Sequence, residues 1–499
     1  MNSTLRNKLA VAFCTALLGL GTAACNDDNL NPIPETLISD QVVFDTPARI
    51  ELQVNNLYAY VKTGAFYGGR YTVYNDVRAD DFINRTTNSV TAFGVWAHAL
   101  TPTSQNDVVN LWSAAYQAIN QANVFLAGMD ANSVKFVAPT FPATFATTAE
   151  QYKAEARLLR ALSYYSLLQL YARPYADGAG SKLGLPLRLQ AENSLPGNDL
   201  ARSTVAEVYT QILADLQFAE TNLPLTYTGN AAAAPNITRA HRNTAIALKT
   251  RVLLSMQRYA DVVTEANKIV SASAPFTATT GVPNALNASI AAVFASPQET
   301  SESIFSFPFT AQNAPGTQNQ LAGYFTPTPV GNGEFFLNTS GILGNAAWAA
   351  TDARRTSFVF VSGGASYLRK YASGTPYLDK SPVIRYAEVM LNLAEGLART
   401  SATNIPRALE LLNAVRGRSN GSLYPATISQ QDLINAILLE RRIEFVGEGI
   451  RNIDIMRLNQ TIPAKSSVPA IPTSDPRYVW PIPAAEIQTN ALIVQNEGY

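Results

Sequence analysis

Between Glu440 and Arg457, eighteen positions hold Glu440, Arg441, Arg442, Glu444, Glu448, Arg451, Asp454 and Arg457, in a chain of which only 15% is charged. Two chemistries suit that density. Glu444 or Glu448 could act as a general acid or base. Alternatively, the arginines and carboxylates could pair into a lattice that locks two helices to a larger body, because a buried arginine needs charge-assisted partners. The lattice is the preferred reading, since nothing beside these carboxylates supplies a nucleophile or metal ligands. Elsewhere the chemical inventory is thin. His98 and His241 are the only histidines, without cysteines or paired acids at ligand spacing, so neither a metal nor a cofactor is expected. The G-x-S-x-G, H-E-x-x-H and phosphate-loop patterns are absent, and Asp76, Asp80 and Asp81 lack the spacing of a calcium loop. The chain reads as a non-enzyme, with a surface glycoside hydrolase kept as an alternative because large proteins always contain acid pairs.

The charged run must be positioned by helices. Leu433, Ile434, Ile437, Leu438, Arg441, Glu444 and Phe445 recur at helical spacing, giving an apolar stripe beside a charged face. Ser429 followed by Asp432 makes a variant capping box, Gly447 and Gly449 are stop signals, and a second short helix is predicted over 450–458. Glu440-Arg441-Arg442-Ile443-Glu444-Phe445, then Glu448-Gly449-Ile450-Arg451, Asp454 and Arg457, resembles the C-terminal signature of the SusD/RagB family, outer-membrane nutrient-binding lipoproteins of Bacteroidetes. Tyr478-Val479-Trp480-Pro481-Ile482-Pro483 and the final Gln495-Asn496-Glu497-Gly498-Tyr499 resemble that family's closing motif.

At the other end, Arg6 and Lys8 precede an apolar run from Leu9 to Leu20, and Thr22-Ala23-Ala24 lead into Cys25. This is the pattern of a secretory signal over residues 1–24, and a run of twelve positions is short of the ~20 needed to span a bilayer. Cys25 resembles the acylated cysteine of a bacterial lipobox, with Thr22 in place of the usual leucine. Cys14 leaves with the signal, so Cys25 has no internal disulfide partner and a lipid thioether is its simplest use. Asn26-Asp27-Asp28 resembles the acidic tag that directs Bacteroidetes lipoproteins to the cell surface. Without residues 1–24, 35 basic and 37 acidic residues remain, a net of −2, which gives no support to nucleic-acid binding.

After a tether at 25–40, a single domain over 41–499 is expected. Helical periodicity marks segments near 47–61, 107–129, 149–171, 205–222, 244–256, 259–270, 382–399 and 405–417. They alternate like tetratricopeptide pairs, although no strict 34-residue period can be laid over them. The fold class is therefore mainly α, and the resemblance implies four helical pairs beneath a loop-rich ligand-binding face, a SusD-like α/α superhelix. The scaffold covers about 41–272 and 382–460, and residues 461–499 close the domain. Residues 275–381 are rich in Pro, Gly, Ser, Thr and Asn yet carry too many aromatics for disorder, so they read as a folded irregular subdomain. The resemblance puts the ligand-side loops at about 64–100 and 310–370.

Aromatic rings in such loops suit stacking on sugars or on peptide side chains. The candidates are Tyr67, Trp96, Tyr324, Phe325 and Trp348, with Arg70 as a polar partner. The resemblance implies a surface lipoprotein that binds an oligosaccharide and delivers it to a TonB-dependent, SusC-like outer-membrane transporter. Peptide capture, as in the RagB branch, is the alternative. Cys25→Ala should block acylation and release the protein from the outer membrane. Unchanged partitioning into detergent would refute the lipid anchor.

Overall fold

The computed structural model describes residues 42–194, 197–228 and 234–499. The predicted signal, Cys25 and the tether lie outside the described residues. Two units are distinguished. In the first, which ends at Ile50, Arg49 donates to the Val42 carbonyl at 3.2 Å. The body, Glu51–Tyr499, carries everything that follows.

Eight helices of the body stack in succession as four antiparallel pairs. We number them after α1 (Pro47–Val61) and α2 (Arg70–Val77): α3 (Asn110–Ala131) with α4 (Phe145–Tyr171), α5 (Val205–Asn222) with α6 (Arg242–Ser255), α7 (Tyr259–Ala266) with α8 (Tyr386–Thr400), and α9 (Ile405–Gly417) with α10 (Gln430–Glu444). A short helix α11 (Arg451–Arg457) follows. No helix among the described residues is long and apolar enough to cross a membrane. The mainly α, pair-based architecture is the one expected. Local signals mark two of the helix starts: the Thr204 hydroxyl and Glu207 form a capping box at α5, and Ser429 accepts from the Asp432 amide at α10. Gly447 and Gly449 take φ of 83° and 76° at the turn that separates α10 from α11.

The loop-rich subdomain is an insertion within the third pair, between α7 and α8. The described strands pair antiparallel in three ribbons: β1 (Phe82–Asn84) with β3 (Phe335–Leu337), β2 (Ser303–Phe307) with β6 (Ser381–Arg385), and β4 (Val359–Ser362) with β5 (Ala365–Leu368). Two readings need correction. Residues 382–385, assigned above to a helix, form β6, because pairing with β2 satisfies their backbone in the core. Residues 70–77, read as aromatic loop, form α2, whose eight residues are all buried and so show no amphipathic period.

The segment from Glu440 to Arg457 forms the lattice. Glu444 receives Arg354 at 3.0 Å, Arg385 at 3.1 Å and Arg418 at 2.5 Å. Arg385 also pairs with Glu302 and, at 2.7 Å, with Glu448, which takes Lys370 at 2.7 Å. Glu440 joins Arg354 to Arg416, and Asp352 holds Arg354 at 2.6 Å. Five carboxylates thus meet five cations, all buried, across the subdomain, α9 and α10. Burial pushes the Glu444 carboxyl up, but Arg418, Arg385 and Arg354 outweigh it and hold the carboxyl well below the usual carboxylate range. A second network runs from Arg441 through Asp454 (2.9 Å) and Arg457 (2.8 Å) to Glu395 (2.6 Å), tying α10 and α11 to α8. A third joins Arg442 to Asp80 (2.7 Å) and Asp81 (2.5 Å), and Arg451 to Asp80 (3.2 Å). Those aspartates serve arginines, and no cluster suited to a metal occurs among the described residues.

Removing one partner from such a lattice leaves buried charge uncompensated. Arg385→Met takes one cation from Glu302, Glu444 and Glu448 at once, and should cost about 3–5 kcal/mol in chemical unfolding. Arg477→Met, at the exposed pair with Asp475, should cost less than about 1 kcal/mol. Equal losses for the two variants would contradict this account.

Candidate ligand-binding face

Two sequence segments some 250 residues apart are clamped together at two places. At the first, β1 and β3 pair with Ile83 opposite Phe336. Just beyond the ribbon Arg85 donates to the carbonyls of Gly333 (2.8 Å) and Asn332 (2.6 Å). Thr91 donates to the Glu334 carboxylate at 3.0 Å, and Thr86 donates to the same oxygen. At the second clamp, Arg70 donates from Nε to Asn319 Oδ1 at 2.6 Å and from Nη1 to the Asn106 carbonyl at 2.8 Å. Glycine is required there. Gly69 has φ 152°, and a Cβ on it would lie 1.9 Å from the Asn319 carbonyl oxygen. Residues 64–107 and 313–345 thereby form one continuous surface.

The five predicted aromatics do not line that surface. None is more than 7% exposed, and the ligand-contact expectation for them is corrected accordingly. Trp96 donates its indole N–H to the Phe82 carbonyl at 2.9 Å, and Phe325 packs against Phe82 at 4.9 Å between ring centroids. Tyr324 donates to the Gln318 carbonyl at 2.7 Å and stacks against Phe335. These three rings share a small core directly beneath the face. Tyr67 sits elsewhere, bonded to Ser166 at 3.0 Å and packed on Tyr71 and Phe307, and burial pushes its hydroxyl up to about 12. Trp348 lies apart from the others, beneath the Arg355 guanidinium. Arg70 is present at the site, but as the strut between loops. The physical reason is that a loop-rich segment lacks long helices to bury, so its aromatics supply the apolar area that holds it down.

What the face presents to solvent is different: the half-buried rings of Phe93 and Phe336, and amide side chains of Asn88, Gln105, Gln318, Gln320 and Asn332. Sequence reasoning weighed aromatics and passed over these amides. The Gln318-Asn319-Gln320 run and Asn332 between two glycines were the available signals. Amides combine donor and acceptor, which matches vicinal hydroxyls, and ring faces match a sugar's C–H surface. Glu334, the carboxylate beneath the face, is buried and accepts from the two threonines. Both histidines are buried and kept neutral, His98 held down to about 2 by burial and then by Lys465 and Arg78, His241 to about 4 by burial.

Comparison with known proteins gives a consistent result. Residues 360–499 match the SusD family, and residues 31–254 match a family described as starch-binding, associating with outer membrane. A SusD superfamily protein from Bacteroides fragilis is 32% identical, with 90% of this chain and 99% of that one covered and a TM-score of 0.80. SusD-like protein P2 of Formosa agariphila is 26% identical over 99% of this chain and 100% of its own. The surface glycan-binding protein A of Bacteroides fluxus shares the fold, with a TM-score of 0.69 at 20% identity over 91% of this chain and all of that one.

The second clamp can be tested alone. Gly69→Ala should push residues 315–320 off α2, costing about 1–3 kcal/mol of stability. Amide exchange should then accelerate across 313–325 while the α3–α10 array keeps its protection. Unaltered exchange in that loop would show that the glycine does not set its position.

Proposed function

Because the chain belongs to the SusD/RagB family, we propose that it captures an oligosaccharide at the cell surface and passes it to a TonB-dependent, SusC-like β-barrel of the outer membrane. The observation that carries this reading is the composite face: two distant loop segments are clamped over an aromatic core so that amides and two half-buried rings point outward. The names of relatives support the ligand class, one family being described as starch-binding and one structural neighbour as glycan-binding. Each amide hydrogen bond contributes about 0.5–1.5 kcal/mol. A few of them give an affinity that retains a ligand yet allows transfer. A lipid on Cys25 would hold the protein at the membrane.

Native mass spectrometry of tagged protein, extracted gently from its host, tests the assignment. A large β-barrel subunit and a retained glycan mass are expected. A partner-free protein in several mild detergents would count against delivery, and a retained peptide would move the ligand class. Gln318→Ala combined with Asn332→Ala should weaken the retained glycan about tenfold or more while leaving the unfolding midpoint in place.

A further inference from the structure

A cavity of about 360 Å³ opens where the loop-rich subdomain meets Ala234 and Thr238, between residues 296–299, Pro308–Phe309, Ser373 and 378–380. It shares no lining residue with the face described above. Its size falls within the range of small-molecule sites, about 300–1,000 Å³. One wall is apolar, made by Pro297, Pro308, Phe309 and Leu378. The other is rich in acceptors. Asp379 accepts from the Ser373 amide at 2.8 Å and, at a long 3.4 Å, from the Gln298 side chain.

The cations nearby are spent on other groups. Lys380 Nζ is bound to the Pro297 carbonyl and to Glu299 at 3.1 Å. Lys62 donates to the Pro308 carbonyl at 2.9 Å and lies over the Phe309 ring. Among the described residues, no base pairs with Asp379, and burial pushes its carboxyl up to about 6 against the pull of the Ser373 and Ala372 amides. The backbone is strained at the same place: Gln298 and Tyr377 take φ of 60° and 64°, a region that side chains other than glycine's enter at a cost. An apolar wall facing an acceptor wall whose carboxylate lacks a counter-ion is completed by a ring with a C–H face and a hydroxyl edge.

We propose that this cleft is a second subsite, taking one uncharged glycosyl unit whose ring lies on Pro297 and Leu378 and whose hydroxyls donate to Asp379. For its ligand class the inference rests on the carbohydrate reading above; for its position it does not. Glu299, which also lines the cleft, adds a second carboxylate that makes it unfavourable to uronic acids.

The test is saturation-transfer NMR on the mature chain with the methyl glycosides of glucose, galactose, mannose and glucuronic acid. At least one neutral glycoside should give a signal that falls fivefold or more in Asp379→Ala and in Leu378→Asp, the latter at a position already 41% exposed. The same signal should survive Gln318→Ala/Asn332→Ala, and the glucuronide should give none. A signal untouched by both cleft variants but lost in the face variant overturns the second subsite and leaves the capture reading standing. A glucuronide signal equal to the neutral one overturns the assigned ligand class. Silence from every glycoside with wild-type protein overturns the second subsite and leaves the oligosaccharide reading to the mass-spectrometric test above.

Discussion

The structure depends on a carboxylate, Glu444, buried among three arginines. Removing an ion from water costs several kcal/mol, so a lattice of five carboxylates and five cations is tolerable only when each charge is met and bonded. That requirement makes the lattice specific rather than merely adhesive. Glu302 and Asp352 come from the inserted subdomain, Arg416 and Arg418 from the end of α9, and Glu440 and Glu444 from α10. Only one relative placement of those pieces satisfies all of them.

The same eighteen residues reach the loop face. Arg442 and Arg451 hold Asp80 and Asp81 at the start of β1, and the Gly449 amide donates to Asp76 of α2 at 2.8 Å. From there the chain runs directly into Phe82 and the ribbon with β3. A helix terminus in the scaffold thereby fixes where the loop face begins. The insertion between α7 and α8 can be long and irregular because its ends are tied to a stacked pair and its middle is bolted to α10 and to the start of β1.

The loop face and the cleft solve one problem in two ways. Both set polar side chains beside an apolar surface. On the face, the apolar surface is the exposed edge of an aromatic core, and the polar groups are amides on crossing loops. In the cleft, prolines and Phe309 form a wall, and Asp379 is kept without a cation because Lys380 and Lys62 are drawn to carbonyls and Glu299. Under the reading proposed above, neutral groups at the first and acceptor groups at the second would suit hydroxylated ligands better than anionic ones.

The paired helices and the ion lattice were legible in the amino-acid sequence, because both are local. Apolar residues recurring every 3.6 positions announce a helix with one solvent face, and eight charges in eighteen positions of a charge-poor chain require partners. The family resemblance rested on those same stretches. Tertiary structure alone decided the rest. Residues 70–77 form a helix buried on every side, which erases the periodicity that would have revealed it. Ser381–Arg385 became a strand through pairing with a segment some eighty positions earlier. Tyr67, Trp96, Tyr324, Phe325 and Trp348 went inward because ring type does not encode which way a loop residue faces; that is set by what packs beneath it, and Gln318 and Asn332 were left outside by the same packing.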